Sequence, residues 1–258
     1  MKKRSRKATD DLRPVWTPDG RRIAFTSKRG DKTASNLYWQ RADGTGEVQR
    51  LTDSKSTQFP GSWHPSGKFL AFFENTPKNA SDLMILPMDG DETTGWKPGK
   101  PTVFLSTPLI ESTPMFSPDG RWIAYISNES GRNEIYVRPF PGPGGKWQIS
   151  NTASDDPTWS RTRHELLYAD SADLQMLVVP YAVEGDSFRA EKPRLWSEGR
   201  FLGRPRPPSR DLDLHPDGER FALAPVSVQQ GVAKLNKVVF LFNFFDELRR
   251  VAPAAASR

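Results

Sequence analysis

Apolar and polar residues alternate in short runs along the chain, and each run follows a tight polar turn. In the most regular copy, Ser117-Pro118-Asp119-Gly120 precedes a run in which Ile123 and Tyr125 are two residues apart. A period of two places such side chains on one face of a β-strand, so each run predicts a strand with one buried face. The paired positions are Ile23/Phe25, Leu70/Phe72, Ile123/Tyr125, Leu166/Tyr168 and Phe221/Leu223.

The turns themselves share a Pro-Asp-Gly pattern. Proline presets φ, aspartate bonds its own backbone, and glycine accepts positive φ, so we interpret these residues as structural. They are Asp19, Gly20, Gly67, Asp119, Gly120, Asp217 and Gly218. The fourth copy has lost the pattern and carries Arg161-Thr162-Arg163. One large apolar residue precedes each turn, and we expect these residues inside the fold: Trp16, Trp63, Phe116, Trp159 and Leu214.

The turns recur at positions 19, 66, 119, 162 and 217, in steps of 47, 53, 43 and 55 residues. A third run follows in every copy and a short fourth run in the first four. Repeats of about 40 to 50 residues with four strands each predict an all-β fold, a β-propeller of about five recognisable four-stranded blades. A β-sandwich also has evenly spaced short strands, but it does not repeat one turn at one place in a four-strand period.

The predicted organisation is a single propeller domain over residues 11–251. Its blades span about 11–53, 59–107, 111–150, 155–199 and 210–243. The second contains a polar insertion at 89–100, a predicted loop whose Trp96 is either a binding contact or a residue packed on the blade flank. Asn243 is a plausible N-cap for a short C-terminal helix over 244–251, and residues 252–258 are expected to fray. Because the last blade lacks a fourth strand, a five-bladed ring, an incomplete or open ring, an arc completed by self-association, and a missing N-terminal portion all stay open.

Charge and composition exclude only a few classes of protein. The net charge is +6, but five lysines and arginines lie within residues 2–7, in a basic tail (1–10) that we expect to be disordered. Such a tail can bind nucleic acid or anionic lipid, but we interpret it as a solvated start and expect no nucleic-acid partner. The chain has no cysteine, which excludes disulfides and thiolate metal sites, and no apolar run long enough to span a membrane. No complete export signal is present, so we expect a cytoplasmic protein unless the chain belongs to a receptor with an extracytoplasmic propeller.

Candidate chemistry is sparse. The sequence contains no nucleophile elbow, phosphate loop, zinc-protease or kinase motif, so we assign no catalytic residue, no cofactor and no metal. His64 and His215 occupy the same slot before the turn proline, and they are either candidates for a central funnel or polar residues that flank a turn. The connection 200–210 is a candidate partner-binding loop for an acidic protein or phosphate, or else a solvated loop, through Arg200, Arg204, Arg206 and Arg210.

Several segments carry a family resemblance. WTPDGRRIAF (16–25), SPDGRWIAY (117–125) and HPDGERF (215–221) resemble the TolB-like propeller repeat over nearly the whole chain. NLYWQ with RADGTG (36–46), SNESGRNEIYVRPFP (127–141) and NFFDEL (243–248) are similar to the C-terminal propeller region of bacterial receptor-like serine/threonine kinases. The resemblance implies a sensing or protein-binding role for a propeller that follows a kinase domain and a membrane helix.

These observations favour a non-catalytic module that binds a protein or peptide, with a small molecule or glycan as other ligands. The alternative is an accessory or catalytic propeller of an enzyme, such as a kinase sensor domain, a peptidase or a lyase.

Overall fold

The computed structural model describes residues 11–30, 33–76, 80–171, 175–200, 212–215 and 217–223. In the range 175–200 the side chains are described as far as residue 197. All the regular elements in these ranges are β-strands, numbered β1 to β20 in chain order. The predicted basic tail, the helix over 244–251 and the frayed end lie outside the described residues. Within the ranges above, no helix has the length and apolarity needed to cross a membrane.

The strands form blades of antiparallel neighbours, as the repeat predicted. Blade one contains β1 (Leu12–Trp16), β2 (Arg22–Ser27), β3 (Asn36–Arg41) and β4 (Gln49–Arg50). Blade two contains β5 (Thr57–Trp63), β6 (Phe69–Asn75), β7 (Asp82–Asp89), β8 (Lys97–Pro98) and β9 (Thr102–Leu105). Blade three contains β10 (Glu111–Phe116), β11 (Trp122–Ser127), β12 (Glu134–Pro139) and β13 (Trp147–Gln148).

Blade four is longer than the repeat requires. It contains β14 (Ser154–Trp159), β15 (Glu165–Asp170), β16 (Gln175–Glu184), β17 (Ser187–Ala190) and β18 (Arg194–Arg200). β16 continues past β15 and folds back on β17 as a hairpin, which the repeat pattern does not predict. Blade five is described only for β19 (Leu212–Leu214) and β20 (Phe221–Leu223), which pair with each other.

The turns between the first two strands of a blade have one geometry. The glycine N–H donates to the carbonyl of the residue three positions earlier, as from Gly20 to Thr17 at 2.9 Å and from Gly120 to Ser117 at 2.9 Å. All the turn glycines have φ between 69° and 75°, a region that L-residues enter only with strain: Gly20, Gly67, Gly120 and Gly218.

The first strands of blades one to four also contain a bulge before the turn, which in blade two lies between Pro60 and Ser62. The register shifts between Leu12 and Val15, and likewise between Ser112 and Met115 and between Asp155 and Thr158. The residue that precedes the strand proline takes positive φ in these three copies: Arg13 at 53°, Thr113 at 52° and Asp156 at 54°. Because a bulge adds a residue and increases local twist, it sets the direction in which the strand enters its turn.

The core is divided among the junctions between blades. Ala24, Leu37 and Trp39 of blade one pack with Trp63 and Phe72 of blade two, and similar clusters join blade two to three, three to four and four to five. Four of the five apolar residues that precede turns are buried in this way, at 5% to 8% exposure: Trp63, Phe116, Trp159 and Leu214. The fifth expectation was wrong, because Trp16 is 55% exposed. Such a residue packs against the preceding blade, and among the described residues no blade lies on that side of β1.

Candidate functional site

His64 lies in an aromatic cluster between blades two and three. Its ring centroid is 5.1 to 5.7 Å from those of Phe69, Phe116 and Phe140, and its Nδ1 lies 2.7 Å from Ser66 Oγ. Its Nε2 points at Gly120, where an added Cβ would lie only 2.1 Å away. Burial lowers the pKa of this imidazole, against the hydrogen bond to the Gly120 backbone and the Asp119 charge, which raise it. The contacts favour a packing role at this junction.

His215 lies elsewhere, in the turn of blade five. Its Nδ1 is 3.0 Å from Asp217 Oδ2, and Arg220 Nη2 is 3.2 Å from the same nitrogen. These contacts stay within one turn, so the structure does not bring the two histidines together. Of the candidate arginine loop, Arg200 ends β18, and Arg204, Arg206 and Arg210 lie outside the described residues.

An open cleft of about 310 Å³ separates the turns of blades one and two. At two other junctions the neighbouring turns touch: His64 of blade two lies against Gly120 of blade three, and Arg163 Nη2 of blade four donates to the Gly218 carbonyl of blade five at 3.1 Å. Three tryptophans contribute to its walls, and we call it the tryptophan cleft. Its lining residues are Thr17, Pro18, Asp19, Arg22, Trp39, Trp63, Pro65, Ser66, Gly67 and Trp96.

The aromatic wall is built by strands of both blades. Trp39 on β3 stacks on Trp63 at the end of β5, with ring centroids 5.9 Å apart, and the guanidinium carbon of Arg22 lies 4.8 Å from the centre of Trp39. The indole N–H of Trp63 is buried without a hydrogen-bond partner. At the equivalent place in blade four, Trp159 donates to the Met115 carbonyl at 2.9 Å. The first junction therefore leaves unused a donor that the third junction satisfies.

The insertion of blade two covers one side of the cleft. Its ends pair as a short hairpin, with Met88 opposite Pro98 and Asp89 opposite Lys97, where the sequence predicted only a loop. We call residues 89–98 the blade-two hairpin. Glu92 near its tip accepts a hydrogen bond from Trp96 Nε1 at 2.8 Å and forms an ion pair with Arg22 of blade one. The hairpin is thus tied across the junction to the neighbouring blade.

Lys68 makes a second connection to the blade-two hairpin. Its Nζ donates to the Gly90 carbonyl at 2.5 Å and lies 4.9 Å from the centre of the Trp96 ring. Trp96 therefore both packs on the blade flank and faces the cleft.

The lining of the cleft contains one acidic and one basic side chain, Asp19 and Arg22, and they are not equally available to a ligand. Burial raises the pKa of Asp19, yet hydrogen bonds from the Thr17 hydroxyl and the Arg21 N–H outweigh it and hold this pKa below its usual value. That carboxylate is committed to its own turn. Burial, followed by the charge of Arg41, lowers the pKa of Arg22, whereas the charge of Asp19 raises it, so neighbouring anions stabilise this cation.

The described ranges contain no group of three or more acidic or histidine side chains arranged to hold a metal ion. Three tryptophan side chains, of which Trp39 and Trp63 are nearly buried, and one guanidinium equip the cleft for binding. Sequence reasoning missed it, although a lone tryptophan in a polar insertion was a usable signal. Arg22 and Glu92, 70 residues apart, carry no such signal.

The chain matches no protein-family model. It is 28% identical over 143 residues to an uncharacterized peptidase, YuxL, of Bacillus subtilis strain 168, a match that covers 45% of this chain and 21% of that protein. Its fold is similar to that of TolB from Acinetobacter baumannii, with a TM-score of 0.54 and 18% identity over 83% of this chain and 53% of the other. A TolB-type structure from Agrobacterium tumefaciens gives a TM-score of 0.52 and 22% identity, over 70% and 64%. The chain thus spans about a fifth of the curated relative and 53% to 64% of these solved chains.

Proposed function

We propose that this chain, a TolB-like β-propeller, is a non-catalytic binding module and that the tryptophan cleft is its ligand site. The observation that carries the proposal is the cleft itself, a tryptophan-lined space between the turns of blades one and two, whereas the turns of blades two and three, and of blades four and five, are in contact. Ligand sites are concave, largely apolar and equipped with a few polar groups, and a volume of about 310 Å³ is at the small end of their range. A short peptide segment, an amino acid or a monosaccharide is the size of ligand that fits.

The finer proposal is that binding here serves signalling. The segments 36–46 and 127–141 support it through their resemblance to the propeller region of bacterial receptor-like kinases. In such a protein the propeller would report ligand to a domain outside this chain. A protein or peptide is the partner we expect, and self-association through the exposed face of β1 is compatible with this role.

An enzyme is the second candidate, because the curated relative is described as a peptidase. In that case this propeller would be the accessory or catalytic part of a hydrolase or lyase. The packing of His64 among three phenylalanines favours binding over catalysis. Loss of a measured activity on His64→Ala or His215→Ala substitution would favour the enzyme.

A thermal-unfolding screen tests the binding role. Amino acids, short peptides and monosaccharides would be added to the wild type, to Trp96→Ala, and to Trp147→Ala as a control that removes another partly buried tryptophan away from the cleft. At about ten times its dissociation constant a ligand stabilises by about 1.4 kcal/mol, which raises Tm by about 3 to 6 °C in a chain of this size. We expect that rise in the wild type and in Trp147→Ala only. A ligand that stabilises all three proteins equally would refute the cleft as the site.

A further inference from the structure

We infer that the tryptophan cleft takes a ligand that carries a carboxylate, and that Glu92 occupies the place of that carboxylate in the unliganded protein. The inference rests on the proposed binding role and adds the chemical class of the ligand. It also gives the blade-two hairpin a task, since the hairpin would then compete with the ligand for the same donors.

Glu92 lies where a bound carboxylate would lie. Its Oε1 accepts from the Arg22 guanidinium of blade one and from the indole N–H of Trp96, at 2.8 Å, at the base of the hairpin. Charge-assisted hydrogen bonds of this kind are stronger than neutral ones, and guanidinium groups match carboxylates in shape as well as charge. The two donors therefore form a cradle that is selective for an anionic oxygen.

Arg22 makes the cradle costly to leave empty. Its side chain is only 16% exposed, and the charges of Arg41 and Arg21 act against the cation while that of Asp19 favours it. The Asp19 carboxylate is engaged by Thr17 and by the backbone of Arg21. Glu92 supplies the ion-pair partner, and a ligand carboxylate is the group that could replace it without leaving Arg22 unpaired.

The segment that carries Glu92 is a short, mostly exposed turn between two glycines, and Lys68 is hydrogen-bonded to the first of them. Gly90 and Gly95 flank it with φ of 85° and 81°, and the residues between them are exposed apart from Glu92 itself. Asp91 accepts hydrogen bonds from the N–H groups of Thr93 and Thr94, both at 2.8 Å, so the tip keeps its own shape. Displacement of Glu92 then requires the backbone to change conformation at Gly90 and Gly95. Trp96 would stay beside the paired strands β7 and β8.

The walls next to the cradle define the rest of the ligand. Trp39 and Trp63 line the cleft but are only 3% and 7% exposed, so the half-buried Trp96 supplies most of the aromatic surface beside the cradle. A flat or apolar group close to the carboxylate satisfies this arrangement. A peptide C-terminus with an apolar last residue and a sugar acid share that chemistry.

Two pairs of probes distinguish a peptide C-terminus from a sugar acid. Acetyl-Gly-Phe would be compared with its C-terminal amide, and methyl glucuronide with methyl glucoside, so that each acid has a neutral match. Binding would be measured by isothermal titration calorimetry and by tryptophan fluorescence. The variants are Glu92→Gln, Arg22→Gln and Arg22→Lys, and the control is Glu129→Gln, which removes an ion pair of similar exposure on blade three.

We expect at least one acid to bind more tightly than its neutral match. Glu92→Gln should tighten that binding by about fivefold, since it removes an ion pair worth about 1 kcal/mol that competes with the ligand for the cradle. Arg22→Gln should abolish the preference for the acid, Arg22→Lys should keep part of it, and Glu129→Gln should change nothing. Far-UV circular dichroism and Tm of each variant establish that it is folded.

Two results overturn the inference, and they separate it from the proposed function. If a neutral probe binds as tightly as its acid and Trp96→Ala abolishes both, the cleft binds ligands but does not select carboxylates. If neither acid binds to Glu92→Gln, the carboxylate inference is wrong, whatever ligand the thermal screen finds.

Discussion

The turn glycines of blades one and three offer a direct measure of how tightly neighbouring blades are packed. Gly20 and Gly120 occupy the same turn position with φ of 69° and 74°. A Cβ at Gly20 would meet nothing within 4 Å, whereas a Cβ at Gly120 would lie 2.1 Å from Nε2 of His64. Alanine at the two sites therefore has the same backbone cost and a different steric cost.

The magnitudes follow from this difference. An L-residue in the left-handed region costs about 1 to 2 kcal/mol, offset by about 0.4 to 1 kcal/mol because alanine restricts the unfolded chain. Both contributions cancel in the comparison. His64 cannot simply swing aside, because Phe69, Phe116 and Phe140 surround its ring. Gly120→Ala should therefore lose a further 1 to 3 kcal/mol, roughly, as overpacked sites do.

Urea unfolding followed by circular dichroism measures both free energies of unfolding. The double variant His64→Ala/Gly120→Ala completes the test, because removal of the imidazole should recover most of the extra loss relative to His64→Ala. Equal losses in Gly20→Ala and Gly120→Ala, to within about 0.5 kcal/mol, would refute the packed junction between blades two and three.

Further predictions concern single buried groups. Trp159→Phe should cost about 1 kcal/mol more in the free energy of unfolding than Trp63→Phe, since only Trp159 donates a hydrogen bond; equal costs would contradict this. Because the pKa of His64 is held below its ordinary 6.5, the unfolded chain binds the proton more readily. Stability should fall as pH drops below about 6.5 and be fully present above it, a fall that His64→Gln should lack in urea titrations between pH 5 and 8. Glu111 has one carboxylate oxygen buried without a partner, and burial raises its pKa. Glu111→Gln should therefore unfold at the same or a higher urea concentration at pH 7, and an earlier midpoint would contradict that account.

The repeat could be predicted because its information is local. The turn residues and the alternation after them, as in Ile123 and Tyr125, fix a strand, a turn and a second strand within about a dozen positions. Four copies of the full unit were enough to predict a propeller, and the described blades confirm it.

What the sequence did not disclose depends on distant partners. Trp16 has the same local context as Trp63, and its exposure follows from which neighbour is packed against β1. The cleft depends on the pairing of Arg22 with Glu92, which a hairpin of irregular length brings together. His64 is a similar case. Its position before the turn proline can be read from the sequence, but the three phenylalanines around it cannot.

The division of the core among blade junctions has a mechanical consequence. In a repeat protein each unit is held mainly by its neighbours, so the total stability is approximately the sum of the units' own stabilities and the contact energies between adjacent units. A junction that leaves room for a ligand gives up some of that contact energy, and the array is most easily parted there. A ligand in the cleft would act as a removable cross-link between blades one and two. Its binding free energy would then add to the contact energy that holds these two blades together.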